Sequence, residues 1–390
     1  MKEIKLKPKE ERRISYGHFW IFSNELEKID TTIKIGEICS ITSSEGKRIG
    51  IGFFNPHSLI AVRLLTKGPG DLEESFIFNR LLSASEYRKN FGLHKYARVC
   101  FGEADLLPGL VVDRYGDYIV ADILSAGMEN LKDEIVSSLQ RIYSPKGIFF
   151  RNDSEFRKLE GISAMPQVIG EVPDTTIIED GGVKYIVPLK AGQKTGFYYD
   201  QRDNRNFLAP YFKDRMVLDL YTYVGGFAIK AALCGAKQVW GIDSSAMAVE
   251  NAQKAAELNG VAETVSFQRE DSERALSDLK YGELPIKPDM IILDPPNYVK
   301  SRKNLSQAIK HYIKLNETAL KGLGTGGLLA TASCSHHISR DIFMDIIAQA
   351  AAKSGKNVSV IEVRGQAYDH PVLLGMPETE YLHFALLYVR

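Results

Sequence analysis

A chain of 390 residues exceeds one ordinary domain, so two or three folding units are expected. Its 44% hydrophobic and 25% charged residues are globular proportions, and no apolar run approaches the roughly 18 residues that suggest a membrane helix. Net charge is zero, with 49 basic and 49 acidic residues, so a polyanionic partner has to be met by local basic patches.

The N-terminus, MKEIKLKPKEERR, is charged and has no apolar core of the kind a secretory signal needs, which points to a cytoplasmic protein with no membrane partner. Residues 1–70 alternate short apolar segments with turns (IGEICSI, EGKRIGIGFF, LIAVRLL), the pattern of a small β-rich module. Helical spacing follows over 72–91, and then strands and a helix to about 190 form a middle α/β domain. From 191 to 390, strands alternate with helices: MVLDLY, QVWGID, TVSFQRED, DMIILDPP and GGLLATASC each precede a helical segment. That alternation predicts a mostly parallel sheet with helices on both faces, a Rossmann-like α/β fold.

In such a sheet ligands bind outside the carboxyl ends of the strands. The first strand ends in Asp219 and a loop closing on Gly225 and Gly226, where a bare backbone lets a ligand approach. The second ends in Asp243, about 20 residues on, placed to accept hydrogen bonds from ribose hydroxyls. The third ends in Asp271, where a base edge would lie. Tyr221 and Tyr223 occupy the loop positions where a dinucleotide signature has glycines, which favours a cofactor without phosphates, and S-adenosylmethionine fits. After the fourth strand, Asp294-Pro295-Pro296-Asn297 makes a rigid extended turn able to hold a planar base.

These features resemble the RlmI-type, PUA-domain-containing class I methyltransferases that make 5-methylcytidine in ribosomal RNA. The carriers are RISYGHFWIFSNE at 13–25, LLPGLVVDRYGD at 106–117, KTGFYYDQRDNR at 194–205, LDLYTYVGGFA, LDPPNYV, TASCS, DHPV and PETEYL. The resemblance implies an N-terminal PUA module over 1–70, a middle domain over 71–190 and a methyltransferase domain over 191–390. It implies that Asp219, Tyr221, Gly225, Asp243 and Asp271 contact S-adenosylmethionine, with Gln201 and Arg202 shaping the pocket, and that Asp294 faces the target base. One departure matters: another branch of RNA cytosine methyltransferases carries a second cysteine beside the proline turn, and here that position is Asn297. The base that releases the product is therefore not identified.

Carbon 5 of cytosine is a poor nucleophile, so an attacking group has to add first at carbon 6. Cys334 ends the fifth strand on the same rim as the proline turn, with His336, His337 and Arg340 following, and is the candidate nucleophile beside Asp294. The plainer reading is a structural thiol, as for Cys39, Cys100 and Cys234. RNA contacts are expected from Pro295, Pro296, Asn297 and Tyr298 and from Lys300, Arg302 and Lys303, which open an acid-free basic run that also holds Lys310 and Lys314. Arg12 and Arg13 add cations near His18, Phe19 and Trp20, which are either stacking surface or core. No histidine and carboxylate spacing suggests a metal. Two other readings stay open: direct methylation of a purine held by the proline turn, and an RNA-binding protein without turnover. Whether the chain acts as a homodimer is also open.

Overall fold

The computed structural model describes residues 1–28, 31–282, 284–299 and 302–390. They fall into two compact units: Met1–Thr176 with Pro188–Tyr199 and Tyr368–Thr379, and Ile177–Val187 with Asp200–Ala367 and Glu380–Arg390.

In the first unit, strands Lys2–Lys5, Trp20–Ile21, Glu37–Thr42, Arg48–Phe54 and Val62–Lys67 form one sheet, in spatial order first, third, fourth, fifth, second. Its inward residues, among them Cys39, Ile41 and Leu64, pack with Ile14, Phe19 and Ile21, so Phe19 is core. Met376, from far along the chain, completes that core, and the Phe19 amide lies 3.2 Å from its sulfur. A second sheet runs in sequence order through Tyr96–Phe101, Leu110–Tyr115, Tyr118–Ile123, Gly147–Phe150 and Gln167–Gly170, with helices Phe76–Asn90 and Lys132–Tyr143 packed together beside it. Two buried arginines hold later segments here. Arg98 grips Asp113 with two bonds of 2.9 and 2.8 Å, and Asp113 also accepts the Thr195 hydroxyl. Arg88 grips Asp105 and reaches the Asp369 carbonyl at 2.8 Å.

In the second unit seven strands form a single sheet, in the order Val265–Arg269, Gln238–Asp243, Met216–Leu220, Met290–Leu293, Leu328–Ser333, His383–Val389, Val358–Arg364. The first five are parallel, and His383–Val389 runs antiparallel to both its neighbours. The buried runs MIIL and LLATAS fit strands covered on both faces. Strand order reverses between Met216–Leu220 and Met290–Leu293, which opens a crevice at their carboxyl ends. Among the described residues no helix is long and apolar enough to cross a membrane, and no cluster could hold a metal ion.

Candidate active site

The loop leaving Met216–Leu220 is held in an unusual backbone shape. Tyr221, Tyr223 and Gly225 all have left-handed dihedrals, with φ of 61°, 51° and 82°. Such a conformation costs roughly 1 kcal/mol or more per non-glycine residue and persists only where neighbours over-determine it. They do so here. The Tyr221 amide donates to Ser272 Oγ (3.0 Å), the Thr222 amide to the Ile242 carbonyl (3.0 Å), and the Tyr223 amide to Asp243 Oδ2 (2.9 Å). Asp219, 1% exposed, accepts the Thr222 hydroxyl at 2.5 Å and the Ala228 amide at 3.0 Å on one oxygen. At Gly225 a side chain would also meet Phe267 at 2.9 Å.

Burial pushes the Asp219 carboxyl up to about 7, and the nearby charges of Asp294 and Asp243 add to it, against the two hydrogen bonds. The folded chain therefore holds a proton that the unfolded chain releases near pH 4, so this group's stabilisation is full below that pH and fades as pH rises towards 7. Asp219→Asn, whose amide oxygen accepts both donors, is expected to raise the urea midpoint at pH 8 relative to pH 5, compared with the parent chain. An unchanged pH profile would show Asp219 ionised throughout.

Asp243 ends its strand with both oxygens turned to backbone amides, Tyr223 on one and Ser245 (2.8 Å) on the other. Asp271 is exposed and caps the helix Ser272–Tyr281 through the Glu273 and Arg274 amides. Gln201 accepts Asn204 Nδ2 at 2.7 Å, while its own Nε2 is buried without a partner among the described residues. Arg202 lies inside the unit: its Nε donates to Asp180 Oδ1 at 2.5 Å, and Arg205 takes the other oxygen at 2.8 Å.

Register places Leu293 beside Leu220, so half-buried Asp294 emerges next to Tyr221. Pro295 is buried, whereas Pro296 and Asn297 are exposed. Cys334, half-buried, brings its Sγ 3.9 Å from the Pro295 carbonyl oxygen. The thiol and the proline turn thus share one rim. Beneath them the buried Tyr312 hydroxyl donates to the Pro296 carbonyl at 3.3 Å. His336 is exposed and tilts against Tyr381 at 5.2 Å between ring centres, and the Tyr381 hydroxyl donates to Asp200 at 2.7 Å. The segments TASCSH, EYL and DQR therefore converge within this unit.

Residues 4–67 match a PUA-like domain, and residues 154–370, more than half of the chain, match the S-adenosylmethionine-dependent methyltransferase family. Ribosomal RNA large subunit methyltransferase I of Pseudoalteromonas atlantica is 37% identical over 386 residues, covering 97% of each chain. The protein of the same name from Aeromonas hydrophila is 38% identical over 384 residues, covering 95% of each. The chain belongs to the ribosomal RNA large subunit methyltransferase I family. Its fold is also that of a Streptococcus mutans protein described as a SAM-dependent methyltransferase, with a TM-score of 0.85 over 100% of both chains at 21% identity. A methyltransferase complexed with SAH superposes equally well.

The cofactor is S-adenosylmethionine, and the methyltransferase site has the features to fit it. A buried amide donor on Gln201 awaits an acceptor, a carboxylate stands oriented at the second strand's end, and the loop after the first strand is held in a strained shape that brings Gly225, which has no side chain, to the start of the next helix. Asp243→Ala is expected to weaken cofactor binding about 10–100-fold, the worth of hydrogen bonds to a charged group. Calorimetric titration measures it, and an unchanged affinity would remove Asp243 from the ribose.

Of the expected RNA contacts, Lys300 lies outside the described residues, and only the backbone of Arg302 is described. Lys303, Lys310 and Lys314 are exposed beside or on the helix Leu305–Gly322, whose opposite face buries Tyr312, Leu315 and Leu320. Arg13 pairs with Glu25 at 2.6 Å and stacks over Phe22, and Arg12 lies over Tyr16. Sequence reasoning passed over Glu273, His311 and Tyr312, which surround Tyr298. His311 and Tyr312 sit within the same basic run, KHYIK, where the cations drew attention first.

Proposed function

We propose that this methyltransferase modifies carbon 5 of a cytosine in large-subunit, 23S-type ribosomal RNA through a covalent adduct between Cys334 and carbon 6. The observation that carries it is the approach of Cys334 Sγ to the Pro295 carbonyl, because it sets a nucleophile beside a turn suited to a flat base. When bound, S-adenosylmethionine supplies the electrophilic methyl group. Asp219, Tyr221, Gly225, Asp243 and Asp271 would hold it, with Gln201 and Arg202 behind. Addition of the Cys334 thiolate at carbon 6 raises electron density at carbon 5, which alone is too weak a nucleophile. Asp294 hydrogen-bonds the base on its N3 and N4 edge, keeps the ring in plane with the turn and stabilises the adduct.

RNA is held by charges outside this rim. Lys303 and its neighbours Lys300 and Arg302 meet phosphates around an extruded base, and Arg12 and Arg13 serve the PUA module. The names of the relatives support ribosomal RNA as the substrate. The test is transfer of labelled methyl to ribosomal RNA from a strain lacking this gene, followed by digestion to nucleosides. Labelled 5-methylcytidine is expected; a labelled purine would overturn the cysteine route and shift the chemistry to Asp294 and Asn297.

A further inference from the structure

A cysteine adduct of a C5-methylated cytosine is released only when some group removes the C5 proton, and the proline turn carries Asn297 where a second thiol would stand. Beside that turn runs a chain of hydrogen bonds in which Tyr298, Glu273 and His311 have no part in the preceding chemistry. The Tyr298 hydroxyl donates to Glu273 Oε1 at 3.3 Å and lies 3.0 Å from the Tyr221 hydroxyl. Glu273 Oε1 lies 3.0 Å from His311 Nε2. The four residues come from four separate segments, so the chain is an assembly of the fold and not a local turn.

Its orientation is fixed by packing. The Tyr298 ring meets His311 edge-on at 4.4 Å and Tyr312 edge-on at 5.4 Å, and Tyr312 in turn holds the Pro296 carbonyl. Tyr298 is half-buried, whereas the side chains of Glu273 and His311 are 43% and 33% exposed. The chain therefore leads outward, from the rim that holds Cys334 to solvent. Because the phenol's hydrogen is committed to Glu273, lone pairs on its oxygen remain as acceptors.

We propose, resting on the cytosine-C5 reading above, that Tyr298 is the catalytic residue that accepts the C5 proton, with Glu273 taking up the phenol's own proton and His311 as the positioning residue that holds Glu273. The C5–H bond breaks and its electron pair forms the C5=C6 double bond. The C6–S bond breaks and its pair returns to Cys334 as thiolate. The released proton goes to the Tyr298 oxygen while the phenol proton passes to Glu273, which gives it up to solvent from its exposed side. Burial, with the charge of Glu273 adding to it, pushes the Tyr298 phenol up to about 12, against the Tyr221 hydrogen bond. A free phenolate is thus scarce at neutral pH, and the carboxylate beside it is what lets a neutral phenol act.

The experiment uses the full chain, ribosomal RNA lacking the modification and methyl-labelled S-adenosylmethionine, and separates labelled free RNA from labelled, detergent-stable protein–RNA complex. Tyr298→Phe keeps the ring and removes the acceptor, so the labelled complex should accumulate at least about tenfold over the parent chain while release of 5-methylcytidine falls to match. Glu273→Gln, at an exposed position where folding is not at risk, should shift both in the same direction. Release from Tyr298→Phe at the parental rate overturns the assignment, as does loss of methylation with no labelled complex. The parent chain is also tested on RNA carrying 5-fluorocytidine, which traps such adducts. Failure to trap there would remove the cytosine-C5 reading and this assignment with it, whereas trapping together with normal release by Tyr298→Phe removes the relay alone.

Discussion

Cys334→Ala is expected to lower methyl transfer to ribosomal RNA by at least about 10³-fold, the scale on which loss of a covalent nucleophile is felt. The size follows from the substrate, since without addition at carbon 6 the ring offers carbon 5 almost no nucleophilicity. The fold should hardly notice. Cys334 is half-buried, with its sulfur 3.9 Å from the Pro295 carbonyl oxygen, so the unfolding free energy should fall by no more than about 1 kcal/mol, as for substitutions outside a packed core. Cofactor affinity should also be unchanged, which separates chemistry from binding. Cys39 and Cys100 are internal controls: both are buried, burial pushes the Cys39 thiol up to about 11, and Cys100 is raised well above its ordinary value, so neither supplies a thiolate. Alanine at either should leave transfer intact. Methylation that survives Cys334→Ala would place the reaction with direct transfer at the Asp294 turn.

The rim that makes this prediction was readable in the chain because every residue on it lies at or just beyond the carboxyl end of a strand. Alternating strands and helices imply a parallel sheet, and in a parallel sheet the residues after the strands share one edge, whatever their separation in sequence. Asp219, Asp243, Asp294 and Cys334 needed no further information to be placed together. What sequence did not show depends on packing over long distances. Arg202 looks like a pocket cation next to Gln201, and only the fold brings Asp180 against it from 22 residues earlier. Likewise DHPV and KTGF read as parts of the methyltransferase segment, yet Asp369 and Thr195 are held in the first unit by Arg98 and Asp113. No periodicity announces such a segment, because its residues are fixed by single buried charges and not by a repeating apolar face. Tyr298 is an intermediate case: its place in the turn was clear, but the partners that orient its hydroxyl, Tyr221 and Glu273, lie on other elements.

The buried charges around Arg202 carry the second large effect. Asp180 is 9% exposed and lies between two guanidinium groups, Arg202 at 2.5 Å and Arg205 at 2.8 Å, that are themselves 3% exposed. Burial alone would push its carboxyl up, but the two arginines outweigh that and hold it below its usual value. Asp180→Asn removes the negative charge that lies between these two buried cations, and breaking a buried pair in this way costs roughly 3–5 kcal/mol. Chemical denaturation at pH 7 should show that loss. The pH dependence has a definite sign: a depressed carboxylate stabilises above its unfolded value, near 4, and its contribution disappears as pH falls through the folded value, so the gap between parent and variant should close in acid. Cofactor affinity decides what Arg202 does. If Asp180→Asn, measured where it remains folded, loses affinity in step with stability, Arg202 serves the pocket by anchoring the segment that carries Gln201. If affinity falls by more than the loss of stability accounts for, Arg202 contacts the cofactor directly.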